Sequence, residues 1–229
     1  MRVFIAVLSV AMMIMANGCG SKDLKGMQFS GTFEMTEHQL GVQTAGRIAT
    51  MSVEEGDHVK AGQEIATLGR YEQSKKDFKR AQLLFKQGGA NRQAVEYAQL
   101  AMEDQRVIAP IDGIILVKIR EAGEVISTGA AVAVLGDPQD QWVKIFIPEG
   151  NINQVRIGQT ADIAFDGVSK IYKGRVTNIA TKAEFTPRNV QTQEERVTQA
   201  FAVKVGLDDP DVRAHPGVSA DVKFENIQQ

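Results

Sequence analysis

Short apolar runs rich in Val and Ile, separated by turns that contain glycine, make up most of the chain. Runs of this kind are typical of β-strands joined by tight turns. In the C-terminal part the pattern predicts five strands, at 142–147, 161–165, 171–180, 200–205 and 220–224. The segment 69–108 departs from this pattern because its apolar residues recur with a helical period.

Two stretches of the strand-like sequence repeat each other at an offset of 67 residues. Nine positions agree in residue type, and each copy predicts three short strands with one turn at Glu-x-Gly and another at a second glycine. The first copy contributes Gly46, Ile48, Glu54, Gly56, Val59, Gly62, Ile65, Ala66 and Leu68, and the second contributes Gly113, Ile115, Glu121, Gly123, Ile126, Gly129, Val132, Ala133 and Leu135. Neither copy has enough apolar surface for its own core, so we predict that the two fold face to face as one sandwich.

The segment between the two copies predicts an antiparallel helical hairpin. Its apolar positions follow the spacing of a packed helix pair and are Tyr71, Phe78, Phe85, Val95, Ala98 and Met102. Gly88 or Gly89 suits the end of the first helix, and Asn91 suits the N-cap of the second. Arms of roughly 15 to 18 residues would project about 25 Å. Small seam residues bury little area, so we expect neighbouring copies, in a ring or stack, to order the hairpin.

The N-terminus predicts an export signal. Arg2 precedes an apolar run at 3–15, which is shorter than the about 20 residues that span a bilayer. Small residues at 16–18 then lead to Cys19, the only cysteine, in a position that resembles the lipobox of a bacterial lipoprotein. This resemblance implies a lipid anchor on Cys19 that holds the chain at a membrane. The alternative is cleavage by an ordinary signal peptidase, which would leave Cys19 as a free thiol.

The two sandwich halves resemble the biotinyl/lipoyl-carrier fold, and a hairpin that splits them on an exported chain is similar to the membrane fusion, or periplasmic adaptor, family of hemolysin-secretion type. The resemblance implies a mainly β fold: a lipoyl-like barrel-sandwich hybrid interrupted by a short antiparallel coiled-coil hairpin and followed by a β-barrel. The expected divisions are a signal peptide at 1–18, a lipid-anchored linker and strand at 19–37, sandwich halves at 38–68 and 107–137, the hairpin at 69–106 and the barrel at 138–229.

The family resemblance also implies a function. Members link an inner-membrane transporter to an outer-membrane exit channel and self-associate into a ring, so we expect a membrane-associated lipoprotein of the periplasm, anchored in the inner membrane, with the outer membrane as the alternative. Members that dock onto exit channels carry Arg, then Leu, then Ser at the hairpin tip. This chain has Arg80, Leu84 and Asn91, so the third position departs. The stretch 183–196 is similar to a segment of adaptors that serve ABC-type exporters, which favours that transporter class.

Composition and motifs argue against other classes. The net charge is −2 with no basic tract, so no nucleic-acid partner is expected. The three histidines, His38, His58 and His215, lie far apart in sequence, and no catalytic, phosphate-binding or metal-binding motif is present. We therefore predict a protein that is not an enzyme and that carries no cofactor and no metal.

Two alternatives stay open at this point. The first is an adaptor of a proton-driven RND or metal-efflux pump, with Met27 and Met35, near His38, as soft ligands for copper. The second is a biotinyl or lipoyl carrier domain. A carrier needs a modified lysine on a tight turn between the halves, and this chain has about forty residues at that place.

Overall fold

The computed structural model describes residues 28–185, 199–209 and 214–224. The described strands and helices are β1 (Gln28–Gly41), β2 (Gly46–Met51), β3 (His58–Val59), β4 (Glu64–Leu68), α1 (Tyr71–Lys86), α2 (Arg92–Glu103), β5 (Arg106–Ile108), β6 (Gly113–Lys118), β7 (Val125–Ile126), β8 (Ala131–Pro148), α3 (Glu149–Ile152), β9 (Thr160–Phe165), β10 (Ile171–Ile179), β11 (Glu184–Phe185), β12 (Gln199–Leu207) and β13 (Ser219–Phe224). The chain is therefore mainly β with one helical hairpin, which confirms the predicted fold class.

The two sequence repeats fold into one sandwich by exchanging strands. Strand β2 of the first half pairs with β7 of the second, β3 pairs with β6, and β4 pairs with β5. The backbone hydrogen bonds repeat at the same offset as the sequence. The amide of Gly62 donates to Ala109 O at 2.8 Å, and the equivalent amide of Gly129 donates to Val42 O at 2.8 Å. The halves are thus related by a pseudo-two-fold axis, and the predicted repeat is confirmed.

The core of the sandwich is built from both halves together. Ile48 of the first half and its equivalent Ile115 of the second are both fully buried. They belong to one apolar cluster with residues of both halves, which are Leu40, Val42, Val53, Val59, Ile65, Ala66, Leu68, Val107, Ala109, Ile126, Val132, Ala133 and Leu135. Removing this apolar surface from water is the main stabilising contribution, and it requires both halves at once.

One lysine, Lys118, forms ion pairs with a residue of each half of the sandwich. The ammonium of Lys118 lies 2.6 Å from a carboxylate oxygen of Glu54 and 2.8 Å from one of Glu121, which are equivalent residues of the two repeats. Hydrogen bonds to Glu121 first, and to Glu54 second, raise the pKa of Lys118 above its usual 10.5. Lys118 occupies the position equivalent to Met51, so this bridge departs from the repeat.

The second unit is a closed β-barrel of six antiparallel strands, in the order β1, β8, β12, β10, β9 and β13. Pairing of β12 with β8 closes the ring. Its core contains Phe33, whose ring packs edge-on against Phe165 at 5.2 Å between centroids, and Phe165 packs likewise on Tyr172 at 5.4 Å. Four of the predicted strands match β9, β10, β12 and β13 to within two residues, and the fifth is the C-terminal part of β8.

Two long strands, β1 and β8, run through both units. Their pairing passes from Met35 opposite Gln141 to Thr36 opposite Asp137, so residues 138–140 of β8 form a bulge at the junction. The expected boundaries at 37/38 and 137/138 fall inside β1 and β8. The barrel therefore includes the first part of β1, which falls in the segment 19–37 expected to be a linker and strand. Without β1, the barrel would be open between β8 and β13.

This topology places the hairpin and the barrel at related positions of the sandwich. The hairpin connects β4 to β5. The barrel is connected to the sandwich through the two long strands, β1, which runs from the barrel into the sandwich, and β8, which runs from the sandwich into the barrel. At the offset of the repeat, β4 is equivalent to the start of β8, and β5 is equivalent to the end of β1. The hairpin and the barrel therefore project from ends of the sandwich that the pseudo-two-fold axis exchanges.

Candidate interaction site on the helical hairpin

The turn of the hairpin is built by specific end signals on both helices. The amides of Gly88 and Gly89 donate to Phe85 O at 3.0 Å and Leu84 O at 2.8 Å, which is the Schellman arrangement that ends α1. Gly88 has a φ of +76°, which glycine adopts without steric cost. The side chain of Asn91 accepts from the amide of Ala94 at 2.9 Å and caps α2. The predicted turn and N-cap are confirmed.

The base of the hairpin is held to the sandwich by polar contacts. Arg106 on β5 forms an ion pair with Glu64 on β4 at 2.8 Å, and its guanidinium lies 5.6 Å from the ring centroid of Tyr71 at the start of α1. The amide of Leu68 donates to Gln105 O at 2.9 Å. These contacts fix the direction in which the hairpin leaves the sandwich.

The arms are unequal, and one is shorter than predicted. Helix α1 has 16 residues and α2 has 12, so the arms rise about 24 Å and 18 Å. The expectation of 15 to 18 residues is wrong for α2, because the helix ends at Glu103 and the chain turns at Asp104 and Gln105 to enter β5. No residue of either helix is buried. The seam is therefore thin, as its small residues predicted.

Large apolar side chains remain exposed on both helices of the hairpin. Leu83, Leu84 and Phe85 are consecutive and each is 42% to 56% exposed, while Tyr97 and Leu100 on α2 are 76% and 58% exposed. A run of exposed apolar residues costs solubility unless it serves a contact. Sequence reasoning missed four of these five residues as site residues. The signal for Tyr97 and Leu100 was available, since both fall outside the seam spacing of α2.

Arg80 and Leu84 lie on one face of α1, whereas Asn91 lies in the turn that follows. Arg80 and Leu84 are four residues apart on α1, so they are neighbours on its surface. Arg80 also forms an exposed ion pair with Asp77 at 3.3 Å, which contributes little to stability. Asn91 lies in the turn, where its side-chain oxygen is used by the Ala94 amide. Asn91 shapes the tip, and the Arg80 and Leu84 side chains offer a charge and an apolar group.

Helical geometry shows which α2 residues share that surface. At about 100° per residue, Leu84 and Arg80 lie about 120° and 160° around α1 from the seam residue Phe78. On α2, Tyr97 and Leu100 lie about 100° and 160° from the seam residue Ala98 in the same rotational sense. Because the two helices are antiparallel, side chains that are rotated from the seam in the same sense lie on the same side of the hairpin. Leu84 and Tyr97 therefore share one side of the hairpin, here the tip surface, whereas Arg80 and Leu100 point towards its two outer edges.

Several predicted features fall elsewhere. Cys19, Met27 and residues 186–198 of the ABC-type stretch lie outside the described residues. Met35 is buried in the barrel core, where its sulfur packs against the backbone at Gly136. The described part of the chain has no cluster of three or more His, Cys, Asp or Glu side chains able to hold a metal ion. Within the same residues, no helix combines the length and apolar character needed to cross a bilayer.

A family comparison identifies the central segment. Residues 37–136, which contain the sandwich and its hairpin, match the family model described as the barrel-sandwich hybrid domain of RND membrane fusion proteins. This segment is a membrane fusion protein domain. The resemblance inferred from the sequence is confirmed at this level, and the membrane fusion protein domain includes the candidate tip surface. Its hairpin also occupies the place where a carrier domain would present a lysine on a tight turn.

The matches to curated relatives cover only part of each relative's length. The chain is 34% identical over 134 residues to a UPF0194 membrane protein from the asrC 5′ region of Acidithiobacillus ferridurans, a match that covers 58% of this chain and 40% of that protein. It is 30% identical over 126 residues to the UPF0194 membrane protein YbhG of Salmonella gallinarum, covering 55% of this chain and 38% of the relative. The chain thus spans about 40% of the length of the curated relatives it matches.

A solved structure supports the fold across both units. A MacA–MexA chimeric protein containing the Pseudomonas aeruginosa MexA α-hairpin domain aligns with a TM-score of 0.62 at 18% identity, over 89% of this chain and 82% of the chimera. At this identity the likeness concerns the fold alone. The aligned share of this chain is larger than the membrane fusion protein domain, so the similarity of fold continues into the barrel.

Proposed function

We propose that this protein is a periplasmic adaptor subunit of a tripartite efflux or secretion system, which links an inner-membrane transporter to an outer-membrane exit channel. The observation that carries this proposal is the membrane fusion protein domain. Its hairpin and the barrel that follows the domain project from two ends of the sandwich that the pseudo-two-fold axis relates to each other. One chain can then contact different partners at its two ends. The adaptor is not an enzyme: it acts as conduit and coupler, and the transporter supplies the energy.

In this proposal the tip surface docks onto the exit channel. Leu84 and Tyr97 supply apolar area, and its removal from water on docking lowers the free energy. Arg80, on the adjoining outer edge of α1, supplies a cation that can pair with a carboxylate or carbonyl oxygen of the channel. Asn91 replaces the family's serine and contributes by capping α2, so the position of the tip is kept while a direct hydroxyl contact is lost.

The barrel and the N-terminus meet the inner membrane. Lipid on Cys19 would anchor the chain there, and only eight residues, 20–27, separate that cysteine from the first barrel strand. For the transporter we favour the ABC class, on the similarity of residues 183–196. An RND pump is the alternative, and the description of the matching family model favours it. Capturing the full chain from its own membranes after cross-linking would discriminate, since an ATPase with its permease supports the first class and a proton-driven pump supports the second.

A single substitution tests docking of the tip surface. Leu84→Asp places a charge in the proposed contact on a helix without buried residues, so we expect normal folding and loss of export by the tripartite system. Gln82→Asp is the matched control, because it introduces the same charge on the opposite side of α1, at a side chain that is also exposed. Normal export by Leu84→Asp, at wild-type protein level, would refute docking through this surface.

A further inference from the structure

A tight turn at the outer end of the barrel, the end that lies away from the sandwich, presents an isoleucine to solvent. The turn connects α3 to β9, and Ile157 within it is 70% exposed. The amide of Gln159 donates to Arg156 O at 3.1 Å, and Gly158 has a φ of +85°, as in a type II turn. Ile157 therefore occupies the first central position of this turn, at its apex.

Hydrogen bonds hold this turn, here the Ile157 turn, in place. The side-chain oxygen of Gln159, a buried residue, accepts from the amide of Arg156 at 3.1 Å. The amide of Gly158 donates to Val176 O at 2.8 Å, and the amide of Val176 donates to Gln159 O at 2.9 Å, so the turn continues the pairing of β9 with β10. The backbone on both sides of Ile157 is thus fixed, and pre-formed geometry lowers the entropy cost of a contact.

The outer end of the barrel also receives the chain from the N-terminus. Strand β1 begins there at Gln28, opposite Lys223 of β13, and Lys223 lies opposite Asp162 of β9. Two strand spacings of about 4.8 Å separate β1 from β9, and five residues of the chain separate Asp162 from Ile157. Ile157 therefore lies within about 20 Å of Gln28 and farther from the sandwich than Gln28 does.

A lipid anchor on Cys19 brings this turn to a bilayer. Fully extended, the chain from Cys19 to Gln28 spans at most about 30 Å, so the anchor keeps the outer end of the barrel close to the membrane. The Ile157 turn suits that surface, since Ile157 supplies a branched apolar group and the exposed Arg156 supplies a cation that can reach lipid phosphates. The side chains that close the outer end of the barrel are also apolar; they are the partly buried Phe29, Ile152 and Ile179.

We propose that the Ile157 turn is a membrane-contact site, in which Ile157 enters the headgroup region of the bilayer and Arg156 pairs with lipid phosphates. This inference rests on the proposed function, because it needs the chain to be anchored through Cys19. One isoleucine offers too little apolar area to hold the protein at a membrane, so the lipid retains the chain and the turn orients it. The barrel then stands on the bilayer by its outer end, with the sandwich and the hairpin directed away from the membrane.

Quenching by lipid tests this contact. In the full chain acylated at Cys19, Gln154→Cys supplies the single free thiol for a fluorophore, at an exposed position three residues before Ile157. The protein is placed alone in vesicles of phosphatidylethanolamine and phosphatidylglycerol that contain phospholipid brominated on its acyl chains. The label should be quenched, Ile157→Asp should lower the quenching by about twofold or more, and Ile157→Leu should keep it. Ile171→Asp is the matched control and should leave the quenching unchanged, because Ile171 is also an exposed barrel isoleucine, at 62%, but begins β10 about 17 Å from Val176.

The outcomes distinguish membrane contact from the anchor and from docking. A lipidated chain whose label is not quenched, or is quenched equally with Ile157→Asp, would overturn membrane contact alone. Shielding of the label that appears only in native membranes holding the transporter would show a protein contact and would also overturn it. A chain that carries no acyl group, measured by intact mass, would refute the anchor and this inference together. Quenching as expected, together with normal export by Leu84→Asp, would refute docking of the tip surface and leave this inference standing.

Discussion

The amide of Gly56 donates to the carbonyl of Ile115 at 2.8 Å. The equivalent pair, in which Gly123 donates to Ile48, has the same length. Each bond ties a turn of one half to a buried strand of the other, so the pseudo-two-fold axis is made of contacts between the halves. The sequence repeat is therefore preserved by pairing across the sandwich, and equivalent substitutions in the two halves should have equivalent effects.

The two turn glycines provide the first test of this symmetry. Gly56 and Gly123 have φ values of +88° and +98°, and open space surrounds the position of an added Cβ at both. Alanine should therefore cost backbone strain alone, about 1–2 kcal/mol of unfolding free energy at each position. Denaturant unfolding measures this loss. Gly150→Ala is the control, because α3 is helical there with equal space, and it should be neutral or stabilising. Clearly unequal costs at Gly56 and Gly123 would contradict the symmetry.

The Lys118 bridge makes a prediction about alkaline pH. Its pKa is raised in the folded protein, so its contribution is fully present below about 10.5 and is lost as pH rises through the folded value. Lys118→Met restores the residue type of the first repeat but leaves Glu54 and Glu121 without their shared cation. We expect a lower melting temperature at pH 7 and a difference from wild type that narrows above pH 10.5. Lys60→Met, at an exposed lysine, should leave the melting temperature the same as in the wild type at both pH values. A difference in melting temperature between Lys118→Met and wild type that does not change with pH would contradict the ion-pair explanation.

The N-cap of α2 can be tested separately from docking. Asn91→Ala removes the acceptor for the Ala94 amide and should destabilise α2 by about 1 kcal/mol, whereas Asn91→Ser should keep most of the cap. Because neither hairpin helix has a buried residue, the loss should show as faster amide hydrogen exchange in α2 and leave global unfolding little changed. Equal exchange rates in α2 of the alanine and serine variants would show that the cap at Asn91 does not stabilise this helix.

The anchor at Cys19 predicts a change of compartment. Wild-type protein labelled with an alkyne fatty acid should carry label and sediment with membranes, since two or more acyl chains hold a protein stably in a bilayer. Cys19→Ser should lose the label and be recovered from the soluble periplasmic fraction. A serine variant that stays with the membrane would show that another contact retains the chain there.

The main elements could be predicted because their signals are local. The turn glycines need positive φ, Asn91 offers a cap oxygen, and the period changes from that of strands to that of helices at residue 69. The start of α2 was predicted from its cap, whereas its length was overestimated because its end depends on the entry of the chain into β5. Of the two tip-surface residues, Leu84 was found by resemblance, while Tyr97 became apparent from its exposure.

By itself, the sequence determined the repeat, the hairpin between its halves and the strand content of the C-terminal part, because each depends on periodicity and on residues with restricted backbone preferences. Only the tertiary structure decided that β1 closes the barrel, that Lys118 joins Glu54 to Glu121, and that Ile108 and Val125 occupy opposite edges of one sheet. These relationships join residues far apart in the chain. Strand order and side-chain proximity are set by packing of the whole core, which no local pattern encodes.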